Sequence, residues 1–179
     1  MLPRANDSRA VAILLAVVSC CAVAIAESRD PFSLSIAAVN SEVPAGSPVM
    51  IDVTLENTSN HDISVYRDNS PDQGGLVYKA DVRDEDGKTA VETEFGRAVQ
   101  GHDTLEQVSR KPYVIVGSGG DQNLAPGKEI KDRINVSKLY DLHQPGKYTI
   151  QLERFDLETK SFIKSNKITV TVRRVATNE

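Results

Sequence analysis

The side chains able to do chemistry are few and scattered. Three histidines are present, His61, His102 and His143. Each is flanked by polar residues and none pairs with another at metal-ligand spacing, so they read as solvated loop side chains unless folding brings two of them to Asp62 or Asp103. Asp81, Asp84, Glu85 and Asp86 precede Gly87, an oxygen-rich composition like that of a calcium loop. An EF-hand pattern with its glycine at Gly87 needs acids where Val82 and Thr93 stand, and Asp86-Gly87 reads instead as a tight hairpin turn. Gly117-Ser118-Gly119-Gly120-Asp121 has the glycines of a phosphate loop without its Gly-Lys-Ser/Thr ending. As a serine-nucleophile loop it lacks a histidine in a recognisable base context, and a flexible loop or bulge between strands accounts for it. No activated nucleophile, metal cluster or paired-carboxylate site can be placed, so the expectation is a protein without catalytic residues, metal or cofactor.

Recognition chemistry is better represented. The run RDNSPDQGG, from Arg67 to Gly75, is rich in turn formers and reads as a loop projecting from the edge of the fold, with a plain connector as the alternative. Tyr66, Arg67, Asp68, Asn69, Asp72 and Gln73 supply one aromatic ring and several hydrogen-bonding groups, a set suited to a protein partner. Aromatic residues make up only 5% of the chain and Trp is absent, which ranks protein recognition above sugar stacking.

The N-terminus carries Arg4 and Arg9, then an uncharged apolar run from Ala10 to Ala26 that ends Ala24-Ile25-Ala26. This pattern reads as a secretory signal peptide over residues 1–26, cleaved before Glu27. Val17-Val18-Ser19-Cys20 also resembles a lipobox, so lipidation at Cys20 is an alternative, and an uncleaved anchor is another. The expected location is the periplasm or the cell exterior, with membrane attachment only through an uncleaved leader or acylated Cys20. Cleavage removes Arg4, Arg9 and Asp7, leaving the remainder one charge more negative than the −4 of the whole chain. An acidic domain with no basic cluster longer than Arg173-Arg174 is not expected to bind nucleic acid. Cleavage also removes Cys20 and Cys21, the only two cysteines, so neither a disulfide framework nor thiol chemistry is available to the exported domain.

The elements that must position these groups are strands. Apolar residues alternate at Phe32, Leu34 and Ile36, at Val49 to Leu55, at Ile63 and Val65, and at Tyr78, Ala80 and Val82. The period recurs at Ile130, Ile134 and Val136, at Tyr148, Ile150 and Leu152, and at Ile168, Val170 and Val172. A period of two marks half-buried strands. The seven runs predict an all-β fold, an antiparallel sandwich of about seven to nine strands over residues 32–174, after a short linker 27–31 and before a tail 175–179. Pro44-Ala45-Gly46 separates the first two strands, and Ser137 is placed to cap one helical turn over Lys138-Leu139-Tyr140. Residues 89–111 have the weakest pattern and read as a long connection.

Gly146-Lys147-Tyr148, with Asp141 upstream, resembles the tyrosine corner of immunoglobulin-like sandwiches, which implies that the Tyr148 hydroxyl bonds back to the preceding connection. The stretches Leu124 to Lys128, Asn135 to Leu142, Pro145 to Tyr148, Ser165 to Val170 and Val53 to Ser59 resemble the β-sandwich beside the catalytic domain of deuterolysin-like secreted zinc proteases and in exported bacterial proteins. That resemblance implies fold and export, not activity, because the His-Glu-x-x-His of the protease is absent. A weaker likeness is to bacterial proteinase-inhibitor domains. The expected function is a non-enzymatic exported module binding a protein or cell-envelope component; the alternative is an inhibitor presenting a loop, Arg67 to Gly75 or Val116 to Asp121, to a protease cleft.

Overall fold

The computed structural model of the protein describes residues 30–68, 77–103 and 119–175. The leader, with Cys20, lies outside these residues. The fold is all-β, with nine strands among the described residues: β1 (Phe32–Ala38), β2 (Glu42–Pro44), β3 (Met50–Asn57), β4 (Ile63–Asp68), β5 (Lys79–Arg83), β6 (Gly119–Leu124), β7 (Glu129–Asn135), β8 (Gly146–Phe155) and β9 (Phe162–Arg173). One sheet has the order β1-β3-β7, a second β2-β9-β8-β5, and a two-stranded ribbon joins β4 to β6. All pairs are antiparallel except β2 with β9.

The period of two decides which side chains meet. Leu34 and Ile36 of β1, Ile51, Val53 and Leu55 of β3, and Ile150 and Leu152 of β8 lie in one buried cluster with Val82, Ile134 and Val170. Facing apolar surfaces of two sheets, removed from water together, account for the sandwich. No helix among the described residues is long and apolar enough to cross a membrane.

Four local expectations are corrected. First, β2 occupies Glu42–Pro44, with only Val43 buried; three residues carry too little alternation to read. Second, the glycine-rich run continues into β6, whose residues Gly119 to Asn123 are all exposed. Its strand character comes from pairing with β4, not from an apolar period. Third, residues 89–111 contain a helix, α1 (Glu94–Gln100). Thr93 caps it by accepting from the Gly96 N–H (2.9 Å), and Gly101 ends it at φ +75°. Fourth, Val136–Lys138 form a single 3-10 turn capped by Asn135, whose side chain accepts from the Ser137 N–H (3.1 Å). The Ser137 hydroxyl accepts instead from the Val49 N–H, 2.9 Å away.

Strand edges are closed largely by side chains. The Asn166 amide of β9 accepts from the Ile36 N–H (2.8 Å) and donates to the Ile36 carbonyl (3.0 Å), so one side chain completes the β1 edge. At β5, Gln100 accepts from the Ala80 N–H (2.9 Å), Tyr140 donates to the Ala80 carbonyl (2.5 Å), and the Ala90 N–H donates to the Val82 carbonyl (2.8 Å). Unpaired edge groups template strand addition, and these contacts remove them from view.

Candidate functional site

Of the residues expected to recognise a partner, Tyr66, Arg67 and Asp68 sit at the end of β4. Ile63, Val65 and Arg67 share one face of that strand, while Ser64 and Tyr66 point the other way. Arg67 and Asp68 belong to β4 itself, paired with Gly120 and Gly119 of β6. Strand β4 therefore runs two residues into the segment that the turn-former composition marks as loop, because the ladder with β6 holds these polar residues extended. Asn69, Asp72 and Gln73 lie outside the described residues. The same pairing sets Asp68, the last residue of β4, beside Gly119, the first of β6.

A polar brace fixes that end. Arg67 pairs with Asp132 of β7 (3.4 Å) and donates to the Lys131 carbonyl (3.3 Å). Tyr78, just ahead of β5, donates to the second oxygen of Asp132 (2.8 Å). Arg154 of β8 is buried, donates to the Tyr66 carbonyl and holds its guanidinium 5.2 Å from the Tyr78 ring centre. Burial pushes the Tyr78 phenol far above its ordinary range; the positive Arg154 opposes this and the negative Asp132 adds to it. Arg67 is thus largely spent on the framework. Tyr66 is not: its ring lies over Gly119, where an added Cβ would come 2.6 Å from the phenol oxygen, and the residue stays 41% exposed.

Alternation marks Tyr78 only as a strand residue, and it gives no role to Asp132 or Arg154. A signal exists for Arg154, which continues the inward series Tyr148, Ile150 and Leu152 at a position where a cation needs a partner. Asp132 sits on an otherwise ordinary charged strand and carries no such mark.

The other titratable groups are dispersed. His61 contacts Glu158 (3.1 Å), His102 contacts Glu92 (2.8 Å) and His143 contacts Asp141 (2.6 Å). None joins Asp62, and the Asp103 side chain is instead buried against Arg97 (3.5 Å). The hydrogen bond from His143 holds the Asp141 carboxyl below its ordinary range. No group of three or more potential metal ligands occurs among the described residues. The acidic run ahead of Gly87 is a turn: Asp84 accepts from the N–H groups of Asp86 (3.0 Å) and Lys88 (2.9 Å), and Gly87 adopts φ +77°. Tyr148 donates to the Gln144 carbonyl at 2.9 Å, in the connection ahead of β8.

No family model matches the chain and no curated protein matches it. Among solved structures, a β-glucosidase from Erythrobacter marinus is similar at 11% identity and a TM-score of 0.37, over 78% of this chain and 15% of the glucosidase. The bacterial hydrophobin BslA is similar at 12% identity and a TM-score of 0.33, over 83% of this chain and 98% of its own. Neither is a deuterolysin-like protease, and likeness at this level says nothing about activity.

Proposed function

We propose that the chain is a non-enzymatic exported binding module that recognises a protein or another cell-envelope component at the end of the sandwich formed by the close of β4 and the start of β6. Export rests on the leader pattern of residues 1–26. The observation that carries the reading is the pairing of Asp68 with Gly119 beside the Arg67–Asp132–Tyr78 brace. Rigid strand ends with polar chain emerging from adjacent positions are how sandwich modules fix a recognition surface while its tips stay adaptable. Tyr66 supplies the exposed aromatic anchor next to those ends, the residue type that contributes disproportionately to interfaces.

Capture from a cell-envelope extract, with the bound species identified and its affinity measured, tests this. Tyr66→Ala is expected to weaken binding by about tenfold or more while leaving the thermal transition in place. Equal affinity of Tyr66→Ala and the natural chain, or no captured component, removes the reading.

A further inference from the structure

The outer face of the β2-β9-β8-β5 sheet carries a second set of polar groups, none of them Tyr66. Register places Lys79 beside Glu153 and Glu153 beside Lys164, with Asp81 beside Gln151 in the next row and Phe155 beside Phe162 beyond. A cleft of about 300 Å³ opens over these rows, walled by Gln100 and His102 where α1 ends. Phe155 and Phe162, each 42% exposed, meet edge to face with centroids 5.1 Å apart and extend the same surface.

We propose that this cleft binds a carboxylated saccharide chain. Three observations select that chemistry. Donors and acceptors alternate across the rows, Lys79 and Lys164 against Asp81 and Glu153, with the Gln151 amide between, whose NH2 donates to the Ser165 carbonyl (2.7 Å) and whose oxygen faces the row as an acceptor; a sugar hydroxyl both donates and accepts. The exposed phenyl rings offer apolar surface to the C–H face of a pyranose. The charges are unevenly spent: Asp81 is held by Arg83 (3.0 Å) and Glu153 by Lys164 (4.0 Å), whereas the Lys79 ammonium lies 4.8 Å over the Phe162 ring. No carboxylate pairs with Lys79 among the described residues, so a ligand carboxylate completes it. His102 directs Nδ1 to Glu92 (2.8 Å) and lines the cleft. An extended peptide is the poorer fit, because strand addition needs the β5 edge, and Gln100 and Tyr140 already occupy Ala80 there.

Calorimetry of the full chain with the hexamer of galacturonic acid, and with cellohexaose as the neutral counterpart, decides the matter. The acidic hexamer is expected to bind, with an affinity that falls as salt rises, and the neutral one to bind at least about tenfold more weakly. Lys79→Gln and Phe162→Ser are each expected to weaken binding about tenfold, while Tyr66→Ala leaves it unchanged. If Phe162→Ser shifts the thermal transition, Lys164→Gln takes its place. Absence of binding at millimolar hexamer, equal binding of cellohexaose, or wild-type affinity in Lys79→Gln overturns the proposal. Because Tyr66 is not among the residues that line the cleft, its loss of envelope capture is read separately.

Discussion

Buried phenols are the residues that tie stability most directly to pH. Tyr78 is 2% exposed and donates to Asp132; Tyr140, equally enclosed, donates to the Ala80 carbonyl. Burial is the leading cause that raises both phenols above their ordinary value. A phenol in the unfolded chain ionises near pH 10, roughly its reference value. Since the native values are higher, their contribution is complete below that pH and is lost as pH rises toward the native values. Urea midpoints are therefore expected to hold level through neutral pH and to fall in alkali above about pH 10. Tyr78→Phe is expected to cost about 1–2 kcal/mol at neutral pH, through the lost bond to Asp132, and to flatten the alkaline fall. A variant as alkali-sensitive as the natural chain removes Tyr78 as a source of that sensitivity.

At the scale of elements, α1 depends on one missing side chain. A Cβ at Gly96 would stand 1.9 Å from the Leu139 carbonyl oxygen, so only glycine lets the helix approach the 3-10 segment and deliver Gln100 to the β5 edge. Gly96→Ala removes an intrinsic helix penalty of about 1 kcal/mol but imposes overpacking of about 1–3 kcal/mol. Net destabilisation is expected, together with faster hydrogen exchange at Ala80, whose amide Gln100 accepts. A gain in stability of about 1 kcal/mol would show that docking does not constrain Gly96. The same helix marks the limit of what the chain discloses to a reader. Thr93 before Glu94, Gly101 after Gln100, and Phe95 with Val99 four apart are a cap, a stop and a stripe. Seven residues hold too few turns for that period to stand out from connection. Alternation is legible in β3, where every second residue is buried over eight residues, and in β8, where every second residue is buried from Tyr148 to Arg154. It is illegible in β6, whose inward signal reduces to Leu124. The candidate site was legible only in part: Tyr66 stands out by type, but the brace joins β4, β7 and β8, and no spacing in sequence reports contacts between residues as far apart as Arg67 and Asp132.

For the molecule as a whole, the sandwich remains open along several strands, and side-chain amides close them where no neighbouring strand does. Asn166 is the clearest instance, because it sits where β9 departs from regular pairing with β8 and turns toward β1. The pairing shifts between Gln151 and Glu153 of β8, where the Ser165 hydroxyl accepts from the Leu152 N–H (2.9 Å) in place of a ladder carbonyl. That irregularity leaves the Asn166 amide directed at Ile36, with acceptor and donor both used. A β-bulge that re-aims one side chain thus joins the two sheets at their common border. Asn166→Ala breaks two hydrogen bonds at once and uncovers the Ile36 N–H and carbonyl. The expected cost is about 1–3 kcal/mol in equilibrium unfolding. A second consequence follows from the exposed edge, which becomes a template for pairing with another chain. In sedimentation the variant is expected to gain mass with concentration more steeply than the natural chain, whereas Asn166→Asp, which keeps an acceptor for the Ile36 N–H, is expected to fall between the two. Unchanged stability with unchanged mass in Asn166→Ala would mean that the apolar core alone holds β1 to β9, and that the amide closes an edge already protected by packing.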